Sequence, residues 1–500
     1  MKNLKYIFAL FILFSSACST DDFAELNTDP NRPTSAPASL ILNGALVDLY
    51  ESPWSLTHRW NQYWVCNYNY YGTNEYSWTT NSFDFNPLKN IVKMVEENSK
   101  ANPDPVNVYS AMGKFLKAYY GYRMTMKFGD IPFAEALQGA KLTEPKYDAQ
   151  KQVFAQILTL LDDANNEFGT LIAKGKKTID GDIYFGGDVT KWQKVVNAFK
   201  LRVLVQLSKR INESDLRIKE RFAEVLNNPS KFPILSGIND DLAYTYISGI
   251  NNYPLNPGNE GFDKRRYNMS ATHLNKLVEL KDPRTFIVAD PAEARIAGGM
   301  KPSDFGAFVG ADPGESLDDM SFKMNKGEYS AINQKRYYGS FGGPENGVQI
   351  GYIEMAFNIA EGINLGWSNG DANATAAWYN KGIRASLDYF GIKDPVVMDS
   401  YLTQAIIQYN GNSAEGLNQI LTQKYLGMFM QSGFEPYYNW RRTGIPKFTT
   451  GIGTGNSGVI PFRFQYPAAE RTANKSNYDA ALASQFGGKD DINAKMWIIK

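Results

Sequence analysis

Cysteine and histidine are nearly missing: 500 residues hold only Cys18, Cys66, His58 and His273 of these two types. Two cysteines cannot build a disulfide framework, and neither histidine lies in a metal-type spacing such as H-E-x-x-H. Net charge is missing too, since 52 Lys and Arg face 52 Asp and Glu. No overall field draws the chain to phosphate backbones, so nucleic acid is not an expected partner. Beyond the first residues there is no apolar run long enough to cross a bilayer. The nucleophile elbow G-x-S-x-G and the phosphate loop G-x-x-x-x-G-K-[ST] are both lacking. "GTGNSG", from Gly453 to Gly458, matches G-x-G-x-x-G but is followed by "VIPFRF" where a dinucleotide turn needs a helix. A glycosidase carboxylate pair leaves no sequence pattern, so these absences leave a glycosidase open.

What is present begins at the N-terminus. Lys2 and Lys5 precede an apolar run from Tyr6 to Phe14, and Ser15, Ser16 and Ala17 are small. This is a secretory leader, 1–17, too short to span a membrane. Cys18 follows the small residues directly, as a lipoprotein acceptor would, although Ser15 stands where such sites usually carry Leu, and cleavage at Ala17 without lipidation is the competing reading. Residues 18–37 then read as a lipidated tether, which leaves Cys66 as an unpaired thiol buried among aromatics.

From residue 38 onward helical periodicity dominates. Val153, Ile157, Leu161, Ala164 and Phe168 share one face, as do Trp192, Val195, Val196, Phe199, Val203 and Leu207. Similar stripes run over 109–126, 354–365, 378–390, 401–409 and 417–429. Asp148 and Asp188 stand where helix N-caps are expected. Helices arriving in pairs predict a mainly α fold, one large domain over 38–500, with hairpins stacked as in tetratricopeptide arrays. Between about 229 and 348 the texture changes to Gly, Pro, Asn, Asp and Tyr, an irregular insert suited to a binding face. Asp180 with Asp182, and Asp240 with Asp241, are candidates for a structural calcium ion, with ordinary turns as the competing explanation. No other cofactor is expected.

Aromatic residues make up 14% of the chain, and "NYNYYGTNEYSW" is too polar and glycine-broken for a core helix. Ring faces beside amides and hydroxyls suit sugar recognition, and equally suit peptides. The candidate ligand residues are Tyr70, Tyr71, Trp78, Tyr253, Tyr337, Tyr338 and Trp367.

Seven blocks, in chain order, carry a family resemblance: "FGDIPFAEAL", "EPKYDAQKQVF", "GGDVTKWQKVVNAFKLR", "EMAFNIAEGINLGW", "YNWRRTGIPKF", "IPFRFQYPAAERTANKSNY" and "GGKDDINAKMW". The chain resembles the SusD-like (SusD/RagB) outer-membrane lipoproteins over essentially its whole length. The resemblance implies a helical, tetratricopeptide-like fold and a non-catalytic nutrient-binding protein. It also implies a SusC-like TonB-dependent transporter as partner and oligosaccharide, or in some branches peptide, as ligand. Asp21 and Asp22 after the lipidated cysteine would then act as a surface-export signal, giving a lipid-anchored, surface-exposed protein of the outer membrane. The motifs themselves are structural: Asp188 caps the helix carrying Trp192 and Arg202, while Arg441 and Arg442 pair with carboxylates or carbonyls.

Overall fold

The structure, a computed structural model, describes residues 35–261 and 265–500. The leader, Cys18 and all but the last residues of the tether lie outside them. The longer helices are α1 (Ala38–Val47), α2 (Phe85–Ala101), α3 (Val108–Phe128), α4 (Gln150–Ala173), α5 (Val189–Gln206) and α6 (Ile218–Asn227). After the insert, which itself contains α7 (Leu317–Asn325), come α8 (Tyr352–Asn364), α9 (Ala372–Tyr389), α10 (Ala414–Gly427), α11 (Glu435–Thr443) and α12 (Lys475–Phe486). Sequence neighbours pack together: α1 on α2, α2 on α3, α3 on α4, α4 on α5, and α8 on α9. Helix α8 also packs on α5 and α10, joining the N- and C-terminal helices. The fold is therefore mainly α with stacked helix pairs, as the periodicity predicts. No helix among the described residues is long and apolar enough to cross a membrane.

The strands are short and pair across long stretches of chain. Strand β1 (Trp64–Cys66) runs antiparallel to β3 (Tyr267–Met269), with Trp64 opposite Met269 and Cys66 opposite Tyr267. Strand β2 (Leu242–Tyr244) pairs with β4 (Gly347–Ile350) through a bulge at Leu242 and Ala243. The irregular insert thus contributes short strands to both ladders, together with short helices.

Local chemistry sets the helix starts. In α3 the Asn107 side chain accepts from the Tyr109 and Ser110 N–H groups, and Ser110 returns a bond to the Asn107 N–H. Asp188 caps α5 by accepting from the Thr190 N–H at 2.9 Å. Asp148 does not cap α4: the cap position is Ala149, and the Asp148 carboxylate accepts instead from the N–H groups of Phe133 and Ala134. The segment expected to be helical over 401–409 is helical only to Leu402 and continues in turns.

Helix α5 is buried nearly all round, including Lys200, Arg202 and Gln206. Arg202 grips Glu354 of α8 in a fork, Nε to Oε1 at 2.7 Å and Nη2 to Oε2 at 2.5 Å, and Ser432 donates to the same carboxylate. Burial alone would raise the Glu354 pKa, but Arg202 holds it below the usual carboxylate range. Arg442 bonds Glu361 at 2.5 Å, and Arg441 donates to the Met126 and Phe462 carbonyls. The arginines of the signature blocks therefore tie helices together, as the resemblance implies.

The calcium candidates are organised as turns. The Asp182 carboxylate accepts from the N–H groups of Tyr184, Phe185 and Gly187 and from the Trp192 indole. Asp240 pairs with Lys194, and Asp241 accepts from the Tyr352 N–H. No group of three or more His, Cys, Asp or Glu among the described residues is placed to hold a metal ion.

Candidate functional site

The β1–β3 ladder places one aromatic surface. Leaving β1, the chain is pinned by Asn67, whose N–H and amide donate to the Arg266 and Arg265 carbonyls, and by Asn74, whose amide pairs with both backbone groups of Cys66. The loop between them closes in a 3₁₀ turn, Asn69–Tyr71. Arg59 holds its far side, donating to the Thr73 carbonyl at 2.7 Å and the Tyr71 carbonyl at 3.3 Å while its guanidinium lies over the Trp64 ring. Gly72 is required here, because its φ is +105° and a Cβ would meet Arg59 Nη1 at 2.8 Å.

So fixed, the loop turns Tyr68, Asn69 and Tyr70 outward, with Tyr70 82% exposed and Tyr68 44%. Tyr71, half-buried, lies edge-on to Tyr70 at 5.1 Å and within 6.3 Å of Tyr68 and Tyr267. The Arg266 guanidinium covers the Tyr68 ring at 4.6 Å. Four rings, a cation and the Asn69 amide thus share one surface. Its components supply ring faces for C–H stacking and donors for hydroxyls or carbonyls.

The other sequence candidates are in the core. Trp78 has no exposed surface and stacks on Phe464 at 4.1 Å with 7° between the planes. Tyr337 is equally buried beneath Trp54, whose indole donates to the Tyr253 hydroxyl at 2.9 Å. Tyr338 is buried, and Trp367 packs against Phe222. Hence Tyr70 and Tyr71 are brought together on the surface, whereas Trp78, Tyr253, Tyr337, Tyr338 and Trp367 are buried away from it. Tyr68, Tyr267 and Arg266 were missed. Tyr68 lies in the quoted "NYNYYG" stretch, but nothing in the sequence announces that Tyr267 pairs beside it.

No general acid or base of ordinary pKa comes from the histidines. Burial pushes His58 down to about 4 and His273 to about 3, so both are neutral near pH 7. Cys66, beneath the platform, is a buried free thiol whose pKa burial raises.

Residues 30–467 match the SusD-like family described as starch-binding and associating with the outer membrane. The chain belongs to the SusD-like family. A solved SusD homolog from Bacteroides fragilis is 31% identical to this SusD-like protein, with a TM-score of 0.83 and alignment over 93% of this chain and 100% of that one. A second B. fragilis SusD homolog is 30% identical, with a TM-score of 0.79 and the same coverage. A Bacteroides uniformis SusD homolog, 21% identical with a TM-score of 0.71 over 92% and 99% of the two chains, shares the fold. No curated protein matches the chain.

Proposed function

We propose that this protein captures oligosaccharide at the cell surface and delivers it to a SusC-like TonB-dependent transporter, held to the outer membrane by lipid on Cys18. The observation that carries the binding reading is the loop-pinned platform of Tyr68, Tyr70, Tyr71 and Tyr267 beside Arg266 and Asn69. Exposed rings that touch one another offer a preformed stacking surface with little entropy to lose on binding. The starch-binding description of the family makes α-linked glucose oligomers the first ligands to try.

Titration calorimetry of the mature protein with maltooligosaccharides, chitooligosaccharides and a mixed peptide pool tests the reading. Saccharide binding that falls about fivefold in Tyr70→Ala, a loss of about 1 kcal/mol for one stacked ring, supports it. Saccharide binding unchanged in Tyr70→Ala and Tyr68→Ala removes the platform from the mechanism, and binding confined to the peptide pool replaces the ligand class.

A further inference from the structure

A cleft of about 440 Å³ opens where α5 ends and α6 begins, against the C-terminal end of α8 and the flanks of α10 and α11. That size falls within the range of small-molecule pockets, about 300–1,000 Å³. None of the platform residues lines it. Its walls are apolar, formed by Leu365 and Trp367 just after α8 and by Leu417 and Leu421 of α10. Its charged lining is mostly cationic: Lys209, Lys219 and Arg442 against the single carboxylate of Glu361.

That carboxylate is already matched. Glu361 Oε1 takes a bond from Arg442 at 2.5 Å and Oε2 lies 3.5 Å from Lys424, and although burial opposes ionisation these partners hold its pKa below the usual range. Arg442, only 5% exposed, still leaves its Nε without a hydrogen-bond partner. At the rim, Lys209 and Lys219 are exposed and form no ion pair among the described residues. Lys209 donates to the Ile499 carbonyl at 3.4 Å, and the charges acting on it, from Lys495, Arg210 and Arg442, are all positive.

The start of α6 adds to this field. No side chain caps it, so its first N–H groups present the positive end of the helix dipole. Lys219 sits at its second position, where a cation opposes the dipole, while Glu220 of the same turn does not line the cleft. Arg217 is engaged elsewhere, by Glu224 at 2.9 Å. Helix stability does not favour a lysine at this position, but an anion seated above the cleft does.

We propose that this cleft is a second ligand site, for a small carboxylate with a compact apolar body, such as a short aromatic or branched-chain acid. The body rests on Trp367, Leu417 and Leu421, and the carboxylate meets Lys219 and Lys209 at the uncapped start of α6. An oligosaccharide fits the walls poorly, since its hydroxyls would lose water without gaining partners. The site is independent of the tyrosine platform.

Phenylacetate is the probe and phenylmethanol its uncharged counterpart, titrated into the mature protein by calorimetry and by NMR of the Trp367 indole N–H, assigned with Trp367→Phe. Phenylacetate is expected to shift that resonance with a dissociation constant on the order of 1 mM. Lys219→Glu, at an exposed helix start where an acidic residue does not lower the thermal midpoint, weakens it about tenfold, and Tyr70→Ala leaves it unaltered. No shift with phenylacetate, equal affinity for phenylmethanol, or unchanged affinity in Lys219→Glu overturns the proposal. None of these outcomes bears on saccharide binding at the platform.

Discussion

Tyr70 stands in solvent and Trp78 stands between Phe464 and Tyr437, so the same substitution has opposite consequences at the two positions. Tyr70→Ala is expected to lower ligand affinity and leave the thermal midpoint where it is. Trp78→Ala opens a cavity in a packed aromatic cluster and is expected to reduce stability by about 3–5 kcal/mol, measured by urea unfolding. The sequence places both in one polar stretch; contacts with Tyr437 and Phe464, far along the chain, separate them. Residue-scale chemistry also sets a pH dependence. His273 lies flat on Phe429 at 4.5 Å, and burial with Arg284 nearby lowers its pKa from about 6.5 to about 3. In that window the unfolded chain binds a proton that the folded chain refuses, so stability falls as pH drops below about 6.5. The slope for one such group approaches about 1.4 kcal/mol per pH unit. His273→Phe, which keeps the ring stack, is expected to flatten the loss, as read from unfolding midpoints between pH 7 and pH 4.

At the scale of elements, α5 and α8 are locked by a buried charge pair. Glu354→Ala leaves the Arg202 guanidinium buried without its carboxylate and is expected to destabilise by about 3–5 kcal/mol. The double variant Arg202→Met with Glu354→Leu removes both charges and is expected to recover most of that loss, as a double-mutant cycle in urea would show. The helices themselves were legible because burial on one face imposes a spacing: the stripe from Val153 to Phe168 is the buried side of α4. Cap chemistry was only half legible. Asp188 and Asp148 look alike in sequence, but Asp148 is drawn to the backbone of the Phe133 turn, a competing partner that only the fold supplies. Trp54, Trp60 and Trp64 lie near helical spacing in the sequence. The chain instead takes positive φ at Trp54 and Gln62, leaving a helix of one turn, Leu56–Trp60, before β1 begins.

Among the described residues, the main hydrophobic core runs from Leu42 to Ile499, beside a small second cluster of Val65, Ala311, Met320 and Tyr329, and the stacked helix pairs expected from periodicity provide most of it. The platform was harder to read, because its two halves come from opposite sides of a long stretch of chain. Asn67 and Asn268, whose side chains meet at 2.6 Å, are 201 positions apart. Periodicity reports neighbours within a helix and is silent about such a meeting. The separation also governs the order of events in folding. Contacts closing so long a loop carry a large entropic penalty and form late, whereas the helices depend on local bonds. Refolding from urea is therefore expected to restore far-ultraviolet ellipticity before it restores saccharide affinity. Simultaneous recovery of the two signals would show that the β1–β3 ladder nucleates early. If the lag is present, capacity to bind becomes a signature of completed folding, and a chain stalled with its helices formed cannot yet hold a ligand.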